Sequence, residues 1–125
     1  MRKAFAALAA LLLLIVVAQF FFAASGAFGD SYAAHHALGY VIFLVPVAMI
    51  AVAVPARVPG RLIALSALIC ALTSLQVLIA VTARAIGEDS VAGRLVFGLH
   101  ALNALAMLAV TAFIAHRARA LARPA

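Results

Sequence analysis

Four long apolar runs without a single Asp, Glu, Lys or Arg, at residues 4–24, 32–54, 62–83 and 96–115, leave this chain few ways to fold. Each has about the 20 residues that span a hydrocarbon core. Lipid offers no partners to backbone N–H and C=O groups, so helices and closed barrels are the only spanning structures. The runs do not alternate apolar with polar residues, which excludes a barrel. The chain is 70% hydrophobic, well above the roughly 45–50% of soluble domains. These observations predict an all-α integral membrane protein: one four-helix bundle over residues 1–125, up-down-up-down, built from two hairpins. The first run follows Met1-Arg2-Lys3 and has the look of a secretory leader. Leader cores are about 7–15 residues long. This run is longer and three more follow, so it is read as a span.

Charge then orients the bundle. Arg2, Lys3, Arg57, Arg61, Arg117, Arg119 and Arg123 fall at the two termini and in the middle connection. Arg84 and Arg94 share the other two connections with Asp30, Glu88 and Asp89, the only acidic residues. This asymmetry predicts a multi-pass protein of the plasma membrane with both termini in the cytoplasm. It also accounts for the net charge of +6 without nucleic acid, since the basic ends suit a bilayer with anionic headgroups. Cys70 is the only cysteine and falls within the third run. It reads as a small packing residue.

The connections have legible punctuation. Residues 25–31 include Gly26 and Gly29 and predict a tight hairpin. Pro55 and Pro59-Gly60 end the second helix and form the next turn. Asp89-Ser90 is placed to cap the fourth helix, and Pro46 should kink the second. A pseudo-repeat runs through the chain. Gln19, a Gly-Asp-Ser turn and His35 in the first half correspond to Gln76, a Gly-Glu-Asp-Ser turn and His100 in the second. The hairpins would be related by an axis along the membrane normal.

The chemistry lies in the histidines. An ionisable side chain at membrane depth is costly and marks a functional site by default, and imidazole is a common axial ligand of haem iron. Helical spacing separates the adjacent His35 and His36. His35 shares a face with Gly39, Ile42 and Pro46, whereas His36 shares one with Tyr40, Phe43, Val47 and Ile50. Gly39 would let a flat macrocycle approach the backbone, so His35 is the better ligand; His36 would cap, hydrogen-bond or sit at the interface. His100 shares its face with Phe97, Asn103, Ala104 and Met107. Ala104 leaves room beside it, and Asn103 would bond to backbone, a partner helix or a ligand. Both histidines fall towards the outer half of the membrane. Arg94 lies six residues before His100, about 9 Å along a helix. It and Arg84 would meet haem propionates or pair with Glu88 or Asp89. His116 adjoins Arg117 at the basic end and needs only snorkelling to explain it. His35 lies five residues past Asp30 and His100 eleven past Asp89. Equal depth therefore requires the fourth helix, or its preceding turn, to project beyond the first hairpin.

The segment His35-His36-Ala37-Leu38-Gly39-Tyr40 resembles the His-Arg-x-Leu-Gly signature of the haem A synthase family, whose four-helix halves carry histidines on their second and fourth helices. Leu99-His100-Ala101-Leu102-Asn103-Ala104 is similar to that family's fourth-helix segment. His36 stands where the family has arginine, and Tyr32 where it has a carboxylate; a second half-bundle is missing. Nearly the whole chain resembles small actinobacterial four-helix membrane proteins of uncharacterised function, through Gln19, His35 and His100. The first resemblance implies haem b ligated by His35 and His100, without synthase activity. The function expected is that of a b-type membrane cytochrome serving electron transfer or haem handling, its partner a quinone or another redox protein. The alternative is a structural or accessory subunit whose histidines pack helices together. A small proton-coupled transporter fits less well, because no carboxylate lies within a run. An enzyme of its own right is poorly supported: Ser66, Thr73, Ser74 and Thr82 have no acid or histidine on their helix.

Overall fold

The computed structural model describes residues 1–29, 31–87 and 89–123. Within them the chain forms four helices, α1 (Arg2–Ala27), α2 (Ala33–Ala53), α3 (Gly60–Ile86) and α4 (Val91–Ala122). Each is long and apolar enough to cross a membrane, and no strand occurs among the described residues. The helices outrun the apolar stretches at several ends. α4 has 32 residues and carries Arg94, Arg117 and Arg119 in helical conformation. Hydropathy marks where the chain leaves hydrocarbon, whereas backbone hydrogen bonding continues into the headgroup layer. At 1.5 Å per residue α4 is about 48 Å long, against a hydrocarbon thickness of about 30 Å.

Each helix packs on its neighbours in sequence, and α4 closes the square against α1. α2 and α4 therefore stand on one diagonal, and α1 and α3 on the other. The apolar core recurs at helical spacing: Phe5, Ala9, Leu12 and Val16 on α1, Ile42, Val45 and Met49 on α2, Leu62 and Ile69 on α3, and Met107, Ile114 and Ala118 on α4. Hydroxyls on α3 are absorbed by their own helix. Ser66 Oγ donates to the Leu62 carbonyl at 2.9 Å, Thr73 Oγ1 to Ile69 at 2.7 Å and Ser74 Oγ to Cys70 at 3.1 Å. They serve the backbone rather than chemistry. Pro46 is buried within α2. Its ring lacks an N–H and disturbs the turn before it; the half-buried Cys70 directs its thiol at the Phe43 carbonyl in that turn, 3.8 Å away.

The termini and the α2–α3 connection meet at one end. Arg2 Nε donates to the Ala56 carbonyl at 3.4 Å, and Met1, Pro55, Leu121 and Arg123 line one groove there. The α1–α2 and α3–α4 connections occupy the opposite end. Asp30 and Glu88 lie outside the described residues, and with them the pairing of Glu88 to Arg84 or Arg94. Ser90 caps α4 as its sequence predicts. Its hydroxyl accepts from Gly93 N–H at 2.9 Å and donates to the Gly87 carbonyl at 2.8 Å. Gly87 has φ +112°, a backbone conformation open chiefly to glycine.

Candidate functional site

Above the apolar core, towards the end opposite the basic one, each helix contributes polar side chains to one layer: Gln19, His35, Gln76, and His100 with Asn103. The two histidines meet across the bundle. The His35 and His100 rings lie 6.3 Å apart, centroid to centroid, with planes at 41°. Because α2 and α4 do not pack on each other directly, this contact is carried by side chains across the diagonal.

The common depth has a simple cause. His35 lies two residues after the start of α2, whereas His100 lies nine after the start of α4. The second hairpin thus overhangs the first by about 10 Å, the projection that equal depth requires. Ser90 and Gly93 hold it in place, since Gly93 packs against the Gly87 carbonyl at the end of α3.

Each histidine is set against a glutamine of the preceding helix. His100 Nδ1 contacts the Gln76 main-chain carbonyl at 3.2 Å, which leaves its Nε2 as the nitrogen for a ligand. Gln19 Nε2 donates to the His35 carbonyl at 3.0 Å. The halves differ in how far they are satisfied. Asn103 Nδ2 donates to the Leu72 carbonyl at 2.8 Å and to Gln76 Oε1 at 2.9 Å. In the first half Gln19 Oε1 and His35 Nδ1 are buried without a hydrogen-bond partner. Orphaned buried polar atoms are uncommon and call for an explanation.

The adjacent residues separate as their helical faces predict. His36 is exposed and stacks beside Tyr32 at 6.3 Å and 24°. A Cβ added at Gly39 would meet only Gln19 Nε2, in ordinary contact at 3.8 Å, so Gly39 packs beside the Gln19 side chain. Ala104 is half-buried one turn from His100. Phe97 stacks on the outer side of the His100 ring at 5.1 Å and 11°. Arg94 Nη1 donates to the main-chain carbonyl of Asp89 at 2.6 Å, which ties it to its own turn. Arg84 is exposed near the end of α3.

In the sequence Gln76 stands out only as a mark of the pseudo-repeat, and Gln19 as that and as part of the family resemblance. The repeat is the signal that could have paired each glutamine with a histidine. Asn103 makes two of the contacts open to it from the sequence, a backbone carbonyl (Leu72) and a partner-helix side chain (Gln76). In Asn103→Leu we expect about 1–2 kcal/mol of lost stability, near the upper end for polar contacts between membrane helices, because Gln76 Oε1 is left unpaired. Unfolding in mixed detergent–dodecyl sulfate micelles measures it; an unchanged midpoint would show that the contact carries no stability.

No group of three or more His, Cys, Asp or Glu residues suited to a bare metal ion occurs among the described residues. Two imidazoles alone suit a metal whose remaining ligands arrive with it. No curated protein and no solved structure matches the chain. Residues 19–83, just over half of the chain and including Gln19, His35 and Gln76, match DUF6220, a family of unknown function, and the chain belongs to that family.

Proposed function

We propose that this protein is a b-type haem-binding membrane protein in which His35 and His100 supply the two axial ligands. The observation that carries this reading is the 6.3 Å separation of the two rings across the bundle. Imidazole–metal bonds are about 2 Å long, so two imidazoles on opposite sides of one ion have centroids about 6 Å apart. The donor set also fits: two neutral-capable imidazoles and an unpartnered His35 Nδ1. The resemblance of the segments around His35 and His100 to haem A synthase half-bundles points the same way. When bound, haem supplies one-electron chemistry whose potential is set by axial ligands and their hydrogen bonds. In this chain the Gln76 carbonyl orients His100 and fixes its tautomer, Asn103 holds the Gln76 side chain, and the aliphatic core closes the layer from below. The positive-inside asymmetry supports a plasma-membrane protein with cytoplasmic termini, the site facing the other side. A membrane quinone or a second redox protein is the electron partner this reading calls for.

Absorption spectra of detergent-purified protein from haem-replete cells, oxidised and then dithionite-reduced, test the proposal. A Soret band with sharp reduced α and β bands is the expected result. Colourless protein would overturn it. It would favour a second reading, in which the layer only joins helices; the Asn103 bonds to Leu72 and Gln76 support that role.

A further inference from the structure

At the basic end, two guanidinium groups share one aromatic ring. Arg61, in the first turn of α3, lies 5.4 Å from the centroid of Phe113, and Arg117, one turn further along α4, lies 5.3 Å from it. The two arginines flank a groove of about 380 Å³ whose walls include Leu62, Phe113 and Leu121. We propose that this groove binds the phosphate headgroup of an anionic phospholipid, with the two guanidiniums as a clamp and the apolar wall against the glycerol and upper acyl carbons.

Two like charges drawn to one ring repel each other unless an anion lies between or beside them. The chain supplies no acidic side chain for this purpose. In the sequence its three acidic residues fall between the first and second and between the third and fourth helices, while seven of its nine Lys and Arg residues belong to the termini and the α2–α3 connection. No acidic side chain is described at this end, so the counter-charge we assign is a lipid phosphate. Arginine forks match phosphate oxygens bidentately, which suits them to this ligand. The α3 N-terminus adds to the field: Pro59 precedes it and no side chain caps it, so its leading amides and dipole favour a negative group. The apolar wall decides between sources of phosphate. A soluble phosphate ion would use the charges and leave Leu62, Phe113 and Leu121 uncovered, whereas a lipid uses both. The position at a membrane-helix end is also that of a headgroup. This inference does not depend on the histidine layer.

Native mass spectrometry of the detergent-solubilised protein tests it, with added phosphatidylglycerol, phosphatidylcholine or inorganic phosphate as probes. The wild type should retain phosphatidylglycerol at least tenfold better than phosphatidylcholine. The Arg61→Gln/Arg117→Gln variant should lose that preference, with helicity by circular dichroism confirming the fold. The control Arg57→Gln/Arg119→Gln removes the same charge from the same end, outside the groove, and should keep the preference within about twofold. Equal loss in both variants would reduce the site to general electrostatics and overturn the proposal. Displacement of the lipid by millimolar inorganic phosphate would assign the groove to a free anion and overturn it equally.

Discussion

Under the proposed haem ligation, either His35→Ala or His100→Ala should abolish the six-coordinate spectrum, while His36→Ala should keep it. The expected loss of haem affinity is at least about 100-fold, because disturbing a hydrogen bond behind a metal ligand already costs 10–100-fold and these changes remove the ligand itself. The expected outcome for these two variants is colourless protein or a five-coordinate, high-spin spectrum. The contrast with His36 rests on geometry: His36 is exposed against Tyr32, while the neighbouring ring lies 6.3 Å from His100. Spectra of the three variants, at matched expression and helicity, give the comparison. A spectrum lost in His36→Ala and preserved in His100→Ala would reject the ligand assignment and spare haem binding.

Gly93→Ala should be the most destabilising small substitution in the protein, by about 3 kcal/mol, the upper part of the range for overpacking. The added methyl would collide with the Gly87 carbonyl oxygen and approach the Gly87 carbon to 2.9 Å and the Ala83 carbonyl oxygen to 3.1 Å. All three are main-chain atoms at the end of α3, and none can swing aside as a side-chain tip would. The α3–α4 hairpin must open. That in turn shifts His100, so under the proposed function the variant should weaken haem binding as well as the fold. Gly98→Ala is the matched control. Nothing lies within 4 Å of its added Cβ, and the gain of alanine in a helix interior predicts neutrality or stabilisation by about 0.5 kcal/mol. Unfolding midpoints in mixed micelles decide the matter, and equal midpoints for the two variants would remove the steric argument.

The fold was legible because lipid narrows the choices: four charge-free runs with short, glycine- and proline-marked turns allow little besides an antiparallel bundle. Ser90 as the cap of α4 was legible from local chemistry alone. The lateral arrangement was not. Helices apolar on nearly every face carry no stripe to say which side turns inward, so nothing in the runs put α2 and α4 on a diagonal. The extent of α4 was hidden for a related reason, since Arg94 and Arg117 interrupt apolarity but not the helix. At the site, His35 and His100 stood out as imidazoles at membrane depth, and helical spacing set His35 apart from His36. The parts of Gln19, Gln76 and Asn103 depend on contacts between helices, which no single helix encodes. Gly93 looked like any helix glycine until the carbonyl of Gly87 was seen against it.

The shallow position of the histidine pair has an electrical consequence. α2 has 21 residues and is about 31 Å long, close to the full hydrocarbon thickness. His35 is about 3 Å from its start, one tenth of the way across. Moving a unit charge through the whole membrane potential involves about 2.3 kcal/mol per 100 mV, so one delivered to this layer from the nearer side feels about 0.2 kcal/mol. Under the proposed function, charging and discharging the layer would thus be almost blind to voltage, and onward passage to the basic end would traverse the remaining nine tenths of the drop.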